Sequence, residues 1–196
     1  MELSSILYLT KISSKLFNSN TDVVVGNVYI PPEGSPYFQP DTFDQIENEL
    51  RNFSRNYKNI CLYVIGDFNS RTAEEPEFIE VDINEHEDDF TEFVENDLAI
   101  LDILDIDKKR RNMDKTKNRS GSNLLELCKA NSLFIVNGRI GTDKTESGKF
   151  TCKNSSVVDY FICACSFLQF VNNFEVLEFS RLYSDVHCPI FYRFFS

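Results

Sequence analysis

The chain has 196 residues, of which 42% are hydrophobic and 26% are charged, and its net charge is −11. This composition excludes a disordered or fibrous protein, and the length predicts a single domain over residues 1–196. No apolar run reaches the roughly 18 residues of a membrane-spanning helix, and the first residues lack the basic start of a signal peptide. We therefore expect an intracellular monomer that does not contact membranes.

Much of the negative charge is concentrated in one segment. Residues 74–107 contain 15 acidic residues and no lysine or arginine, and a basic cluster between Lys108 and Arg119 follows directly. Because an acidic run repels a phosphate chain, we expect residues 74–107 to be a peripheral, solvated segment. The rest of the chain carries more basic than acidic side chains and remains able to approach phosphate groups.

Strand and helix patterns alternate in the first half. Strands are predicted at residues 6–12, 23–30 and 60–65, the second ending before a pair of prolines. Apolar residues at three- and four-residue steps predict a helix over residues 41–57, with Asp41 placed to cap it. Residues 71–119 are predicted to be mainly loop, with a short amphipathic helix across residues 90–98.

The second half is richer in strands. A helix is predicted from Gly121 to about Asn131, followed by strands at residues 133–136, 157–163, 174–179 and 189–194. The strands at 60–65 and 157–163 lack polar alternation, so both of their faces should be covered. Together these patterns predict an α/β fold in which sheets pack between helices.

Four short motifs lie at the ends of the predicted strands: Tyr29-Ile30-Pro31-Pro32, Gly66-Asp67-Phe68-Asn69, Ser156-Val157-Val158-Asp159-Tyr160 and Ser184-Asp185-Val186-His187-Cys188-Pro189-Ile190. In this order, the motifs resemble those of the endonuclease/exonuclease/phosphatase superfamily, and most closely the endonuclease domains of non-LTR retrotransposons. The resemblance extends over roughly residues 21–194 and includes Asp114, Asn118 and Gly121 in the middle of the chain. It implies a four-layer α-β-β-α sandwich and Mg²⁺-dependent nicking of DNA, in the nucleus if the protein is functional.

These residue types suit phosphodiester hydrolysis. Attack on phosphorus places charge on non-bridging oxygens, so a site needs a divalent metal and hydrogen-bond donors. An Asp after a glycine turn can orient water or bind metal, and an Asn two residues later can donate to phosphate. His187 titrates near neutrality and can donate as an imidazolium. Asp159 lies in an apolar strand and needs a partner, so we assign it to orient His187.

The resemblance also implies a role for each residue. Asp67, Asn69, Asp159 and His187 are implied to be catalytic, with Asp67 acting on the attacking water. The residues implied to bind the DNA backbone are Tyr29, Asn69, Arg71 and Thr151, with Arg139 as a further candidate. Asp67 and Asp185 are implied to hold the metal, for which Mg²⁺ is expected and Mn²⁺ is the alternative.

The sequence departs from the family pattern at two places. The family begins with a strand bearing an Asn and a later strand bearing a metal-binding Glu. The residues before Asp22 contain nothing that corresponds to these two strands. We therefore expect an N-terminally incomplete domain with at most trace nuclease activity. In addition, Val186 separates Asp185 from His187, which are adjacent in the family. Unless Val186 forms a bulge, one of these two side chains leaves the site.

Two alternatives to a DNA-nicking enzyme remain open from the sequence. One is an inactive transposon remnant or binding module that uses the same surface without turnover. The other is a phosphatase acting on small or lipid phosphoesters, which would use the same catalytic residues.

Overall fold

A computed structural model describes residues 6–16, 21–57, 60–79, 98–153 and 155–194. Its larger sheet has five strands in the order β1-β2-β3-β5-β4: β1 (Leu7–Ile12), β2 (Asp22–Tyr29), β3 (Ile60–Asp67), β4 (Leu133–Ile135) and β5 (Asp159–Ala164). Strands β2 and β3 run parallel, and the other neighbours pair antiparallel. A second sheet pairs β6 (Val171–Val176) with β7 (Ile190–Phe194).

The described residues include the α-helices α1 (Thr42–Asn56), α2 (Arg119–Ala130), α3 (Gly141–Thr145) and α4 (Cys165–Leu168). A 3₁₀ turn covers Ser14–Leu16, and residues 98–103 are also helical. Helix α1 begins after Asp41, although the Asp41 side chain makes no capping hydrogen bond. Helix α2 is capped instead by Asn118, whose side chain accepts a hydrogen bond from the backbone N–H of Gly121. Within the described ranges, no helix is both long and apolar enough to cross a membrane.

The larger sheet buries both of its faces, which explains the apolar runs in β3 and β5. On one face, Leu62, Val64 and Ile162 pack with apolar side chains of α1 and α2. On the other face, Tyr63 and Phe161 stack with ring centroids 5.0 Å apart and pack with residues of the second sheet. The predicted α/β sandwich of two sheets and flanking helices is confirmed, and most of the predicted elements are found within about three residues of their expected bounds.

The described ends of the acidic segment correct its expected peripheral position. Glu77, Phe78 and Leu101 are buried, and Phe78 and Leu101 belong to the core between the sheets. Both described ends are therefore held by the core, and residues 80–97 connect them in sequence. Those residues, with most of the predicted helix at 90–98, lie outside the described residues.

A buried ion-pair network holds these two ends together. The Glu77 carboxylate contacts Arg110 and Arg139, and all three side chains are at most 1% exposed. The remaining guanidinium donors have other partners: Arg110 donates to the carbonyls of Ala73 and Glu75 and to the Thr72 hydroxyl, and Arg139 donates to the carbonyls of residues 107, 108 and 135. Burial disfavours a charged Glu77, but the two arginines outweigh it and lower the pKa of this carboxyl. Arg139 is consequently a core residue and does not reach DNA phosphates.

Candidate functional site

Strands β3 and β5 bring Asp67 and Asp159 together. The two residues are direct partners in the antiparallel ladder, at the point where β3 ends and β5 begins. Side chains alternate along a strand, so Asp67 shares the face of Tyr63 and Asp159 shares the face of Phe161. Both carboxylates therefore lie at the end of the core between the sheets, where their side chains are 15% and 14% exposed.

His187 completes a cluster with these two carboxylates. Its Nδ1 atom lies 2.9 Å from Asp159 Oδ2, and its Nε2 atom lies 3.8 Å from Asp67 Oδ2. The backbone before His187 is turned by Ser184, whose Oγ accepts hydrogen bonds from the N–H groups of Val186 and His187. An isolated antiparallel bridge to Cys152 then fixes the position of His187.

Asn69 is held against Asp67 by a tight turn. Its φ of 47° lies in the left-handed region, which Asn tolerates better than most residues. The Asn69 backbone N–H donates to Asp67 Oδ1, and the side-chain amide donates to Asp67 Oδ2 and to the carbonyl of Ile30. Both amide hydrogens are thus engaged within the protein, so Asn69 orients Asp67 in this structure.

Thr151 is fully buried and holds the backbone at Asp159 in position. Its hydroxyl oxygen accepts hydrogen bonds of 3.0 Å from the backbone N–H groups of Val158 and Asp159. The side chain is 0% exposed and cannot face a DNA strand, contrary to the role implied from the sequence. Its contacts instead fix the start of β5 and with it the position of Asp159.

The electrostatics of the cluster favour protonation of all three groups. Burial raises the pKa of Asp67 to about 6, and the nearby charge of Asp159 adds to this effect, while hydrogen bonds from Asn69 and the charge of His187 oppose it. Burial likewise raises the pKa of Asp159, although its bond to His187 limits the shift. Burial would lower the pKa of His187, but the two carboxylates outweigh it and the net pKa is raised.

These shifts predict that the cluster destabilises the fold as the pH rises. The folded-state pKa of Asp67 is raised, so its ionisation costs stability between pH 4 and 6, by at most about 3 kcal/mol. The raised pKa of His187 adds stability that is present in acid and lost above its folded pKa. Urea unfolding in EDTA should therefore show Asp67→Asn gaining stability relative to the unsubstituted chain between pH 4 and 7. A constant difference across this range would contradict the pKa assignment.

The other predicted site residues have different positions. Tyr29 is the ladder partner of Asp67 in β2 and is 59% exposed, so it borders the cluster. Arg71 makes two hydrogen bonds of 2.7 Å to the buried carboxylate of Asp114, so its guanidinium is engaged in a structural ion pair. Asp185 is exposed and does not belong to the cluster of Asp67, Asp159 and His187. Val186 separates Asp185 from His187, which are adjacent in the family pattern. The Ser184 turn directs His187 to the site, and Asp185 is the side chain that lies outside it.

Two residues outside the four motifs hold the site loops in place. Asp114 Oδ2 accepts hydrogen bonds from Arg71 Nε and from the backbone N–H of Val157, and so joins the loop after Asp67 to the approach to Asp159. Asn118 accepts from the backbone N–H of Arg71 and donates to the carbonyl of Asn69. The sequence resemblance included both residues, but no local pattern reveals their contacts with chain segments about 40 or more positions away.

The Asn118 contacts predict a graded effect of substitution. Asn118→Ala removes the α2 cap and both loop contacts, and we expect the free energy of unfolding to fall by about 1–2 kcal/mol. Asn118→Asp keeps the accepting oxygen for Gly121 and Arg71 but replaces the donor to Asn69 with a second acceptor that faces the same carbonyl, so it should recover part of that loss. Urea unfolding of both variants measures the difference. Equal destabilisation by the two substitutions would contradict the assigned contacts.

The cluster also provides a possible site for a divalent cation. Asp67, Asp159 and His187 each offer one ligand atom, and these three atoms lie within 4.8 Å of one another. Two carboxylates and an imidazole can bind several divalent metals. Because His187 Nδ1 already bonds to Asp159, Asp67 is the carboxylate best placed to bind a cation from solvent.

Comparisons with known proteins identify structures of similar fold. The chain superposes on the endonuclease domain of TRAS1, a telomere-specific non-LTR retrotransposon, with a TM-score of 0.53 and 15% identity over 96% of this chain and 63% of that one. It superposes on the 3′-5′ exonuclease NExo from Neisseria meningitidis with a TM-score of 0.52 and 15% identity over 88% of this chain and 61% of that one. A structure of the 3′ phosphatase NExo from Neisseria bound to a product DNA hairpin gives a TM-score of 0.54 and 14% identity over 96% and 70% of the two chains.

The comparisons define the fold without assigning the chain to a family. No protein-family model matches the chain, and a search of curated proteins finds no significant match. The chain spans only 63% and 61% of the length of the first two structures. At 14–15% identity, the likeness concerns the arrangement of strands and helices. The chain therefore has an endonuclease/exonuclease/phosphatase-like fold.

Proposed function

We propose that this chain binds DNA and hydrolyses phosphodiester bonds at the cluster of Asp67, Asp159 and His187, as an endonuclease of the retrotransposon type. The observation that supports this most directly is the geometry of the cluster, in which an imidazole lies between two partly exposed carboxylates. The structural neighbours include nucleases and a 3′ phosphatase, which is consistent with phosphoester chemistry. We further propose that the chain is a single domain that acts as a nuclear monomer.

Each residue of the cluster has a separate role in the proposed hydrolysis. Asp159 accepts a hydrogen bond from His187 Nδ1, which fixes the orientation of the ring and directs Nε2 away from Asp159. When protonated, His187 donates from Nε2 to a non-bridging oxygen of the scissile phosphate. Asp67, when ionised, accepts a proton from the attacking water, whose oxygen bonds to phosphorus as the bond from phosphorus to the leaving oxygen breaks. The leaving oxygen takes a proton from solvent. Asn69 holds the Asp67 carboxylate in position.

A divalent metal fits the charge of this cluster. The carboxyl of Asp67 has a raised pKa because it is buried beside a second carboxylate, and a cation would compensate both effects. We propose that Asp67 binds Mg²⁺, with Mn²⁺ as an alternative. When bound, the metal neutralises the negative charge that develops on the phosphate oxygens.

Nicking of supercoiled plasmid tests the proposal. The purified chain should convert supercoiled to open-circular DNA in Mg²⁺ or Mn²⁺ and not in EDTA. We expect a slow rate, since within the described residues the cluster contains no glutamate to anchor the metal. The assay should be run beside a soluble phosphomonoester substrate and a DNA-binding measurement.

The outcomes separate the alternatives. Metal-dependent nicking supports the endonuclease. Turnover of the phosphomonoester alone would favour a phosphatase, an activity named for one of the structural neighbours. DNA binding without turnover of either substrate would instead indicate a binding module or a remnant of an enzyme.

A further inference from the structure

The loop between β6 and β7 presents two large apolar side chains to solvent. Leu182 is 80% exposed and Tyr183 is 76% exposed, and the neighbouring Arg181 is exposed as well. We call residues 181–183 the loop tip. Single exposed apolar residues are common on protein surfaces, but two adjacent ones beside a candidate active site suggest contact with a partner.

The loop tip is held in a defined turn. Leu182 N–H donates to Ser180 Oγ, and Tyr183 N–H donates to the carbonyl of Ser180, at 3.3 Å and 3.1 Å. Ser184 then begins the next turn through its contacts with Val186 and His187. Both turns are hydrogen-bonded, so less backbone freedom at Leu182 and Tyr183 is lost on binding than in an unstructured loop.

The base of the same loop is fixed to the active site. Cys188 N–H donates to the carbonyl of Thr151 at 2.7 Å, and Lys153 N–H donates to the carbonyl of Val186 at 3.1 Å. The ammonium of Lys153 also lies 5.8 Å from the centre of the Phe179 ring. Tyr183 precedes His187 by four residues, so their Cα atoms are at most about 14 Å apart.

We infer that the loop tip contacts the bases of the DNA strand whose phosphate lies at His187, with Tyr183 stacking on a base next to the scissile bond. This inference rests on the proposed function and adds a substrate class to it: DNA with an unpaired or easily unstacked nucleotide at the cleavage position. A duplex buries its base faces, so only such a nucleotide offers a face to Tyr183. Arg181 supplies a positive charge for the adjacent phosphate.

A second exposed aromatic residue, Tyr29, borders the cluster. Tyr29, which is 59% exposed, is the ladder partner of Asp67, whereas Tyr183 approaches from the loop that carries His187. Tyr29 therefore pairs with the residue that carries one carboxylate, and Tyr183 lies four residues before His187, so each tyrosine is carried by an element that meets the cluster. Stacking of this kind accepts any base, since every base has a π face.

Binding measurements in EDTA test the inference without turnover. Fluorescence anisotropy should compare a short duplex with the same duplex carrying one unpaired nucleotide. We expect Tyr183→Ala to weaken binding to the unpaired substrate by about 5- to 150-fold and to change binding to the perfect duplex much less. Tyr183→Phe keeps the ring and should bind like the unsubstituted chain. Tyr8→Ala is the matched control, because Tyr8 is 62% exposed on the edge strand β1, outside this loop.

A fluorescent base analogue provides a second readout. With 2-aminopurine as the unpaired nucleotide, its emission should be quenched on binding to the unsubstituted chain and to Tyr183→Phe, and not on binding to Tyr183→Ala.

Three results would overturn the inference. If the chain binds neither the perfect duplex nor the duplex with the unpaired nucleotide, both this inference and the proposed function are wrong. Binding that is unchanged in Tyr183→Ala would remove only the stacking role. A concentration-dependent dimer in size-exclusion chromatography that disappears in the Leu182→Ala/Tyr183→Ala variant would assign the loop tip to a second copy of the chain.

Discussion

Glu77→Ala is expected to lower the free energy of unfolding by about 3–5 kcal/mol, enough to unfold much of a protein of ordinary stability. The substitution leaves Arg110 and Arg139 buried without their counter-ion, since Glu77 contacts both guanidinium groups and accepts a further hydrogen bond from the backbone N–H of Ile135. Urea unfolding, or the yield of soluble protein if the variant fails to fold, measures the effect.

Two further variants test whether the stability lost in Glu77→Ala comes from the charge of Glu77 and from its burial. Glu77→Gln keeps the shape and an accepting oxygen but removes the charge, so it should still destabilise strongly. Glu126→Ala breaks an exposed ion pair with Lys129, in which Glu126 is 71% exposed, and should change stability by less than about 0.5 kcal/mol. Equal effects of Glu77→Ala and Glu126→Ala would contradict the buried network.

Asp67→Ala should reduce any metal-dependent nicking by about 100- to 10 000-fold, the range of a lost general base. The same substitution should abolish stabilisation of the fold by Mn²⁺, which is measurable as a shift in the melting temperature even where turnover is slow. Because Asp67 has a pKa of about 6, Mn²⁺ must compete with a proton, and the Mn²⁺-induced shift should be larger at pH 7.5 than at pH 5.

Asp185→Ala is the matched control for Asp67→Ala. The sequence resemblance implied that Asp185 shares the metal with Asp67, whereas the structure places Asp185 at the exposed surface, outside the cluster. We therefore expect Asp185→Ala to nick DNA and to respond to Mn²⁺ like the unsubstituted chain. A loss as large as that of Asp67→Ala would show that Asp185 reaches the metal after all.

The elements of the fold were predictable because their signals are local. The apolar runs of β3 and β5 and the helical spacing of Phe43, Ile46 and Leu50 each lie within one short stretch of chain, and all three elements are found. The convergence of Asp67, Asp159 and His187 was predicted from their positions at strand ends, and the structure brings them together.

Several contacts could not be predicted because nothing in the local sequence reveals the partner. From the sequence alone, Arg71 resembles a phosphate-binding residue. In the structure its guanidinium donates to Asp114, 43 positions later. Glu77 is one acid among many in its segment, and its arginine partners lie 33 and 62 positions away. Thr151 gives no sign in the sequence that its hydroxyl is buried, since a threonine suits both a surface and a backbone-binding site.

The pairing of β3 with β5 has a consequence for how the protein folds. Asp67 and Asp159 are neighbours only because two strands separated by about half of the chain form a ladder, and closing such a long loop is slow. The cluster consequently forms only when the central sheet is completed. A nascent chain that ends before β5 contains Asp67 without Asp159 or His187, so we expect the proposed hydrolysis to begin only after His187 has been synthesised.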